Sequence, residues 1–248
     1  MRLNLTLMWI IGFYCVIKPY DLYAQEEKPL QALELWNFYD NEGDGNKANT
    51  TQIRYYIPLQ KGETNLTLRL DTSEYSQFGA SYPNQNIFDY KAGTSKITLY
   101  ASTAPVNQWS AMYGLRTLLP IGAATQWLIA PHLGASYTPK NSIVTDVSPL
   151  VRYFHGFDPR YPNTTLVRSL NFFPTVGLRL SAKTELRFWD ENPAVLNMNN
   201  GKWFVPIDTQ IVHNIDKTKY FIIGTSQGIV RDNNIYTNST YASFGFKF

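Results

Sequence analysis

Apolar and polar residues alternate along most of this chain with a period of two, the period of a strand that has one apolar face. In residues 52–60 (QIRYYIPLQ), Ile53, Tyr55, Ile57 and Leu59 share one face, and Gln52, Arg54, Tyr56 and Gln60 share the other. Residues 65–71 set Leu66, Leu68 and Leu70 against Asn65, Thr67, Arg69 and Asp71. The longest run, 202–216, places Trp203, Val205, Ile207, Thr209, Ile211 and Ile215 opposite Lys202, Asp208, Gln210 and Asn214. A strand crossing a hydrocarbon layer obliquely needs about 9–11 residues, and this run is longer than that. In the closing run, 238–248, Phe244, Phe246 and Phe248 fall on one face, with Tyr241, Ser243, Gly245 and Lys247 on the other. Further runs lie at 32–40, 95–104, 108–120, 125–138, 142–157, 165–181, 183–192 and 217–230. The pattern therefore predicts twelve strands, or ten if residues 72–107 divide differently.

The connections predicted between these strands differ in length. Short ones fall at 60–64, 121–125, 139–141, 181–183 and 216–217. Longer polar ones fall at 41–50, 75–93, 158–163, 191–201 and 231–236. Short turns at one end and longer loops at the other are the habit of outer-membrane barrels. A soluble β-sandwich would also alternate, but its strands usually run about 5–6 residues. Trp109, Trp127, Tyr137, Tyr153, Trp189 and Trp203 lie near strand ends, where a membrane-interface girdle puts such rings. The expectation is an all-β, antiparallel transmembrane β-barrel in the cell outer membrane, with short periplasmic turns and longer outer loops.

The N-terminus supports export. Arg2 precedes an apolar run at residues 5–17, within the roughly 7–15 residues of a signal-peptide core and short of the roughly 18–20 that span a bilayer. Cleavage after Ala24 would leave residues 25–248 as one barrel domain. Cys15, the one cysteine, lies in the removed segment, so the mature chain would hold no disulfide or thiolate metal site. Aromatic residues make up 15% of the chain, and the formal net charge of +3 comes without any basic run, which argues against nucleic acid as a partner.

The stretch YGLRTLLPIGAATQWLIAPHLGASYTP, starting at Tyr113, reads strand, tight turn, strand. LNFFPTVGLRLSAKTELRFW and NGKWFVPIDTQIVHNIDKTKYFIIGTSQGIV follow later. This order resembles Gram-negative outer-membrane barrels known generically as transporters, loosely akin to those of meta-pathway phenol degradation, over roughly residues 50–248. The resemblance implies a fold and a compartment and carries no catalytic residues. The face of Phe244, Phe246 and Phe248 is similar to the terminal aromatic strand that barrel-assembly machinery recognises. Outer-membrane lipid, lipopolysaccharide and that machinery are the partners so implied.

If the apolar face looks outward, the inward set holds Arg54, Arg69, Arg116, Arg152, Arg179 and Arg187, with Asp71, Asp146, Glu185 and Asp208 facing them. Arginines on a pore wall attract anions. Alternatively they pair with the acids and stiffen a closed interior, because opposing side chains nearly meet in a barrel of this size. Arg168 is out of phase and suits a snorkelling position at the interface. Lipid hydrolysis would need a nucleophile beside a base. His132, His155 and His213 all lack a serine two residues on, and Ser136 stands about 13 Å from His132 by strand rise. Residues 40–46 (DNEGDGN) superficially suggest a calcium loop, yet position twelve is Thr51 instead of glutamate. No enzyme activity, cofactor or metal is expected. The expected role is an outer-membrane channel or transport component for small hydrophilic or amphipathic solutes, with an anion preference if the arginines line an open passage. The alternative is a non-conducting structural or surface-interaction barrel.

Overall fold

The computed structural model describes residues 30–59 and 64–248. The predicted signal peptide, Cys15 and most of the predicted turn at 60–64 lie outside the described residues. Those described form thirteen strands: β1 (Ala32–Gly43), β2 (Asn46–Pro58), β3 (Asn65–Gly79), β4 (Lys91–Ser102), β5 (Trp109–Leu119), β6 (Gln126–Tyr137), β7 (Val144–Pro159), β8 (Arg168–Arg179), β9 (Thr184–Phe188), β10 (Ala194–Asn197), β11 (Lys202–Asn214), β12 (Lys219–Arg231) and β13 (Asn238–Lys247).

Each strand runs antiparallel to its neighbours, and β13 pairs with β1 from Ala32↔Lys247 to Asn41↔Asn238, closing the sheet. β9 and β10 both lie between β8 and β11, one beyond the other. They fill a single place in the wall, so thirteen segments make a twelve-stranded barrel. Closure leaves no open sheet edge, which is the condition for a sheet to stand in lipid. The outer face carries an apolar belt that includes Leu35, Leu99, Leu115, Leu133, Ile211 and Ile223, all exposed. A continuous exposed apolar surface of this kind is what contact with hydrocarbon requires.

Several connections differ from the sequence expectation. Residues 41–50 are not a loop. β1 and β2 continue to a two-residue turn in which Asp44 and Gly45 have φ of 51° and 76°, the type I′ geometry that Asp-Gly favours. The calcium-loop candidate is therefore part of a tight hairpin. The short connection at 120–125 lies at the same end of the barrel as the long ones at 80–90 and 160–167. At the other end, the Asp216 carboxylate accepts the backbone N–H and hydroxyl of Thr218 and the N–H of Lys219. Those bonds, led by the Thr218 N–H, hold it below the usual aspartate range.

The largest departure is at 191–201, which the sequence suggested was an outer loop. Residues 189–193 instead leave the wall between β9 and β10. The segment carries two extra residues against each flank: five stand opposite three of β8, because Phe188 and Ala194 pair with Val176 and Phe172, and six stand opposite four of β11, because Phe188 and Val195 pair with Thr209 and Phe204. Pro174 and Pro206, on the flanking strands opposite the gap, have no N–H to give a neighbouring ladder. The bonds a regular strand would make are replaced individually. Trp189 donates its backbone N–H to Asp208 O (3.0 Å) and its indole N–H to Pro206 O (2.8 Å), and its carbonyl accepts the Thr175 hydroxyl (2.9 Å). These contacts hold Trp189 at φ 50°, a conformation uncommon for a bulky residue. Trp189 was expected in the aromatic girdle, but it anchors this segment instead.

Candidate functional site

The interior is divided by residues 189–193. Glu191 accepts two hydrogen bonds from Arg54 of β2, at 2.7 and 2.8 Å. β2 and the β9/β10 place are separated by β3–β8 on one side and by β1, β13, β12 and β11 on the other. The ion pair therefore spans the interior and does not run along the wall. Its bidentate form gives fixed geometry as well as charge neutralisation. Asp190 is held from the wall by Arg187 Nε (3.1 Å) and Gln210 Nε2 (2.7 Å). Asp208, fully buried behind the segment, accepts Asn192 Nδ2 (2.9 Å) and the Tyr241 hydroxyl (2.8 Å), and also the backbone N–H groups of Glu191 and Asn192.

On the side of β11–β13 and β1 the interior is filled. Trp36, Tyr220, Ile222 and Tyr241 form a buried cluster with Phe38 and Val212 packed against it. Tyr241 lies over Gly224, and Tyr220 over Gly245, each its direct partner across the β12–β13 ladder. A Cβ at either glycine would meet the ring at 2.2 Å, so only glycine lets these rings lie flat on the wall. Arg54 caps the cluster, its guanidinium 4.0 Å from the Trp36 ring centre, a cation–π contact. The Tyr56 and Tyr220 hydroxyls and the Trp36 indole N–H all donate to Glu34.

The side of β3–β8, extending onto β1 and β2, holds a cavity of about 580 Å³ bordered by Arg54, Arg69, Lys96, Arg116, Arg152 and Arg187, with Asp40, Asp190 and Glu191 as the acids on its wall among the described residues. Arg69 grips Asp71 through Nε (2.6 Å) and Nη2 (2.8 Å). Arg187 grips Asp146 through Nη1 (2.9 Å) and Nη2 (3.2 Å), and its Nη1 also reaches Glu185 (3.4 Å). Arg116 donates only to neutral oxygens, Thr98 Oγ1 (2.9 Å) and the Tyr100 hydroxyl (3.0 Å). Among the described residues no carboxylate forms an ion pair with Lys96, Arg116 or Arg152. The buried Nε of Arg152, both ring nitrogens of His132 and Oδ1 of Asn171 have no hydrogen-bond partner.

Of the ten residues selected from the sequence, Arg54, Arg69, Arg116, Arg152 and Arg187 border one cavity. Asp71 and Asp146 lie beside it through their arginines. Asp208 is behind the inward segment. Glu185 also reaches Arg187 (3.4 Å), while Arg179, its register partner near the end of β8, is exposed and stands away from the cavity. The closed network in which Arg116 and Arg152 would pair with Asp146 and Asp208 does not form, because those acids serve Arg187 and the inward segment. Sequence reasoning missed Lys96, although it sits in phase with the inward Thr98 and Tyr100, which alternate with the outward Ile97 and Leu99. It also missed Asp190 and Glu191, whose signal was the WDENP cluster between two proline-bearing strands. Arg168 is exposed at the start of β8, and Phe244, Phe246 and Phe248 lie on the outer face of the closing segment.

The histidines stand apart from hydroxyl nucleophiles, with one exception. Ser136 bonds Ser148 (2.9 Å) and not His132, and His155 approaches the Tyr153 hydroxyl (3.4 Å). His213 Nδ1 lies 2.9 Å from the Thr184 hydroxyl near the barrel end. Among the described residues no three His, Cys, Asp or Glu side chains cluster as metal ligands would.

This closed, twelve-stranded antiparallel wall with an apolar outer belt is the architecture of outer-membrane β-barrels. The chain is similar to an outer membrane channel from Pseudomonas putida F1, with a TM-score of 0.68 at 8% identity over 94% of this chain and 100% of that one. It is also similar to NanC porin (TM-score 0.59, 11% identity, 87% and 100% covered) and to KdgM porin, solved in complex with disordered oligogalacturonate (0.52, 10%, 88% and 99%). At these identities the likeness is one of fold. No family model matches the chain, and no curated protein matches it in sequence.

Proposed function

We propose that this protein is an outer-membrane channel whose passage runs along the β3–β8 side of the barrel and favours small anions. One observation carries the reading: cations outnumber acids on the cavity wall, and Lys96, Arg116 and Arg152 lack carboxylate partners. Positive charge on a low-dielectric wall raises the local concentration of anions and lowers that of cations. No energy input or cofactor is needed for such a role. Residues 1–24 act as an export signal and the Phe244, Phe246 and Phe248 face as an assembly signal, with lipopolysaccharide around the outer rim. Kinship with the phenol-degradation barrels rests on strand order alone and adds no solute.

The test is single-channel recording in planar bilayers. Under a salt gradient the reversal potential should lie on the anion-selective side, and Arg116→Gln with Arg152→Gln should move it toward cation selectivity. An unchanged potential in a conducting double mutant would remove these arginines from the passage. The filled β11–β13 side and the Arg54–Glu191 bridge favour a second reading, a non-conducting barrel. Silence of the purified protein in bilayers would select it. Recovery of the protein in the soluble periplasmic fraction would exclude both.

A further inference from the structure

The cavity wall is built in rows whose chemistry changes sharply from one to the next. Ladder register places Tyr100, Gly114, His132, Arg152 and Asn171 side by side across β4–β8. Arg116 stands in the adjacent row toward one end, opposite Ala130. In the adjacent row toward the other end, Met112, Gly134, Leu150 and Phe173 are likewise side by side. Met112, Leu150 and Phe173 border the cavity together with Arg116 and Arg152. An unpaired cationic level therefore lies one row, about 7 Å along the strands, from an apolar shelf.

Buried polar atoms are ordinarily satisfied. Among the described residues four of the six exceptions gather in one row, Arg152 Nε, both nitrogens of His132 and Asn171 Oδ1, while Gln210 Oε1 and Ser243 Oγ stand apart on β11 and β13. Arg152 is 6% exposed and His132 5%, so bulk water is not a ready partner for either. Arg116 and Arg152 rise from β5 and β7, two strand spacings across and one row along, about 12 Å apart at the backbone, within reach of two long guanidinium side chains converging on one anion. A guanidinium matches the planar, two-oxygen face of a carboxylate. The shelf next to it has no polar side chain to offer the remainder of such a molecule.

We propose that this is a binding site for a carboxylate that carries a small apolar body. The carboxylate lies between Arg116 and Arg152, and the apolar part covers Met112, Leu150 and Phe173. The inference rests on the anion-passage reading for how the solute arrives, and it names the solute class. A small hydrophilic anion would satisfy the arginines but leave the shelf wet. An uncharged apolar solute would leave the arginines unpaired. Only a molecule with both parts satisfies both rows.

The experiment is isothermal titration calorimetry on the full chain in detergent, against detergent-matched blanks, with benzoate, hexanoate, acetate and inorganic phosphate. Benzoate and hexanoate should bind at least ten-fold more tightly than acetate or phosphate. Arg152→Gln should weaken benzoate ten-fold or more, Arg152→Lys should restore part of the loss, and Leu150→Ser should weaken benzoate while leaving acetate unchanged. Heat-modifiable gel mobility verifies the folded barrel in each variant, and the wild-type ligand ranking is decisive by itself if a variant does not fold. Equal affinity for benzoate and acetate, tighter binding of phosphate, or indifference to Arg152→Gln would overturn the proposal. Benzoate binding in a barrel that passes no current would keep the site and reject the channel. Current without benzoate binding would do the reverse.

Discussion

The two halves of this interior face each other across one peptide segment and are built by opposite rules. On the β11–β13 and β1 side, Trp36, Tyr220, Ile222 and Tyr241 pack as the core of a soluble domain would, and their polar tips end on Glu34 or Asp208. On the β3–β8 side the side chains are long, cationic and separated by a cavity, and four buried polar atoms lack partners, against Gln210 Oε1 and Ser243 Oγ on the filled side. Both halves have the same wall and the same period-2 alternation. The difference shows that a barrel interior need not be one environment: part of it can supply stability while the rest stays free to hold a solute.

The comparison can be broken in three ways. The largest effect should come from the filled half, where Trp36→Ala should cost about 3–5 kcal/mol, read from guanidinium unfolding in detergent. Phe173→Ala on the open side should cost less than half as much, since Phe173 already faces empty volume. Equal losses would mean that the halves are not energetically distinct. The bridge between them comes next. Glu191→Gln leaves Arg54 buried without its charge partner and should cost roughly 3 kcal/mol, and the loosened segment should raise single-channel conductance. Full stability with unchanged conductance would show that residues 189–193 are held by their wall contacts alone. The smallest effect should come from Arg152→Gln. With no carboxylate to leave unpaired and like charges nearby, stability should change by less than about 0.5 kcal/mol or rise slightly. A loss of several kcal/mol would reveal a hidden partner for Arg152.

Much of the wall was legible from periodicity, because alternation of the kind seen at 202–216 depends only on which face meets hydrocarbon and which meets the interior. Lumen-facing arginines could be selected on the same ground. Two signals were present and misread. Asp44-Gly45 is a strong hairpin signature, yet the polar residues around it suggested a loop. Trp189 fits an interfacial girdle by spacing, but the prolines at 174, 193 and 206 mark the place where the ladder fails. The division of the interior was not legible at all. It depends on Trp36, Tyr220 and Tyr241 meeting from strands far apart in sequence, and on Glu191 reaching Arg54 across the interior; one-dimensional patterns record neither.

Residues 189–193 are built from the wall itself and are continuous with β9 and β10. An obstruction folded in from an outer loop can swing on its two stems, and its motion would appear as flicker between conducting levels. This one has no stems: it is fixed at Trp189 by three hydrogen bonds, at Asp190 by Arg187 and Gln210, and at its tip by Arg54. It behaves as a spoke instead of a flap. The electrical record of a single molecule should therefore be quiet, with one dominant level and little dependence on applied voltage, and the size limit for passing solutes should be set by fixed geometry and not by how often a gate opens.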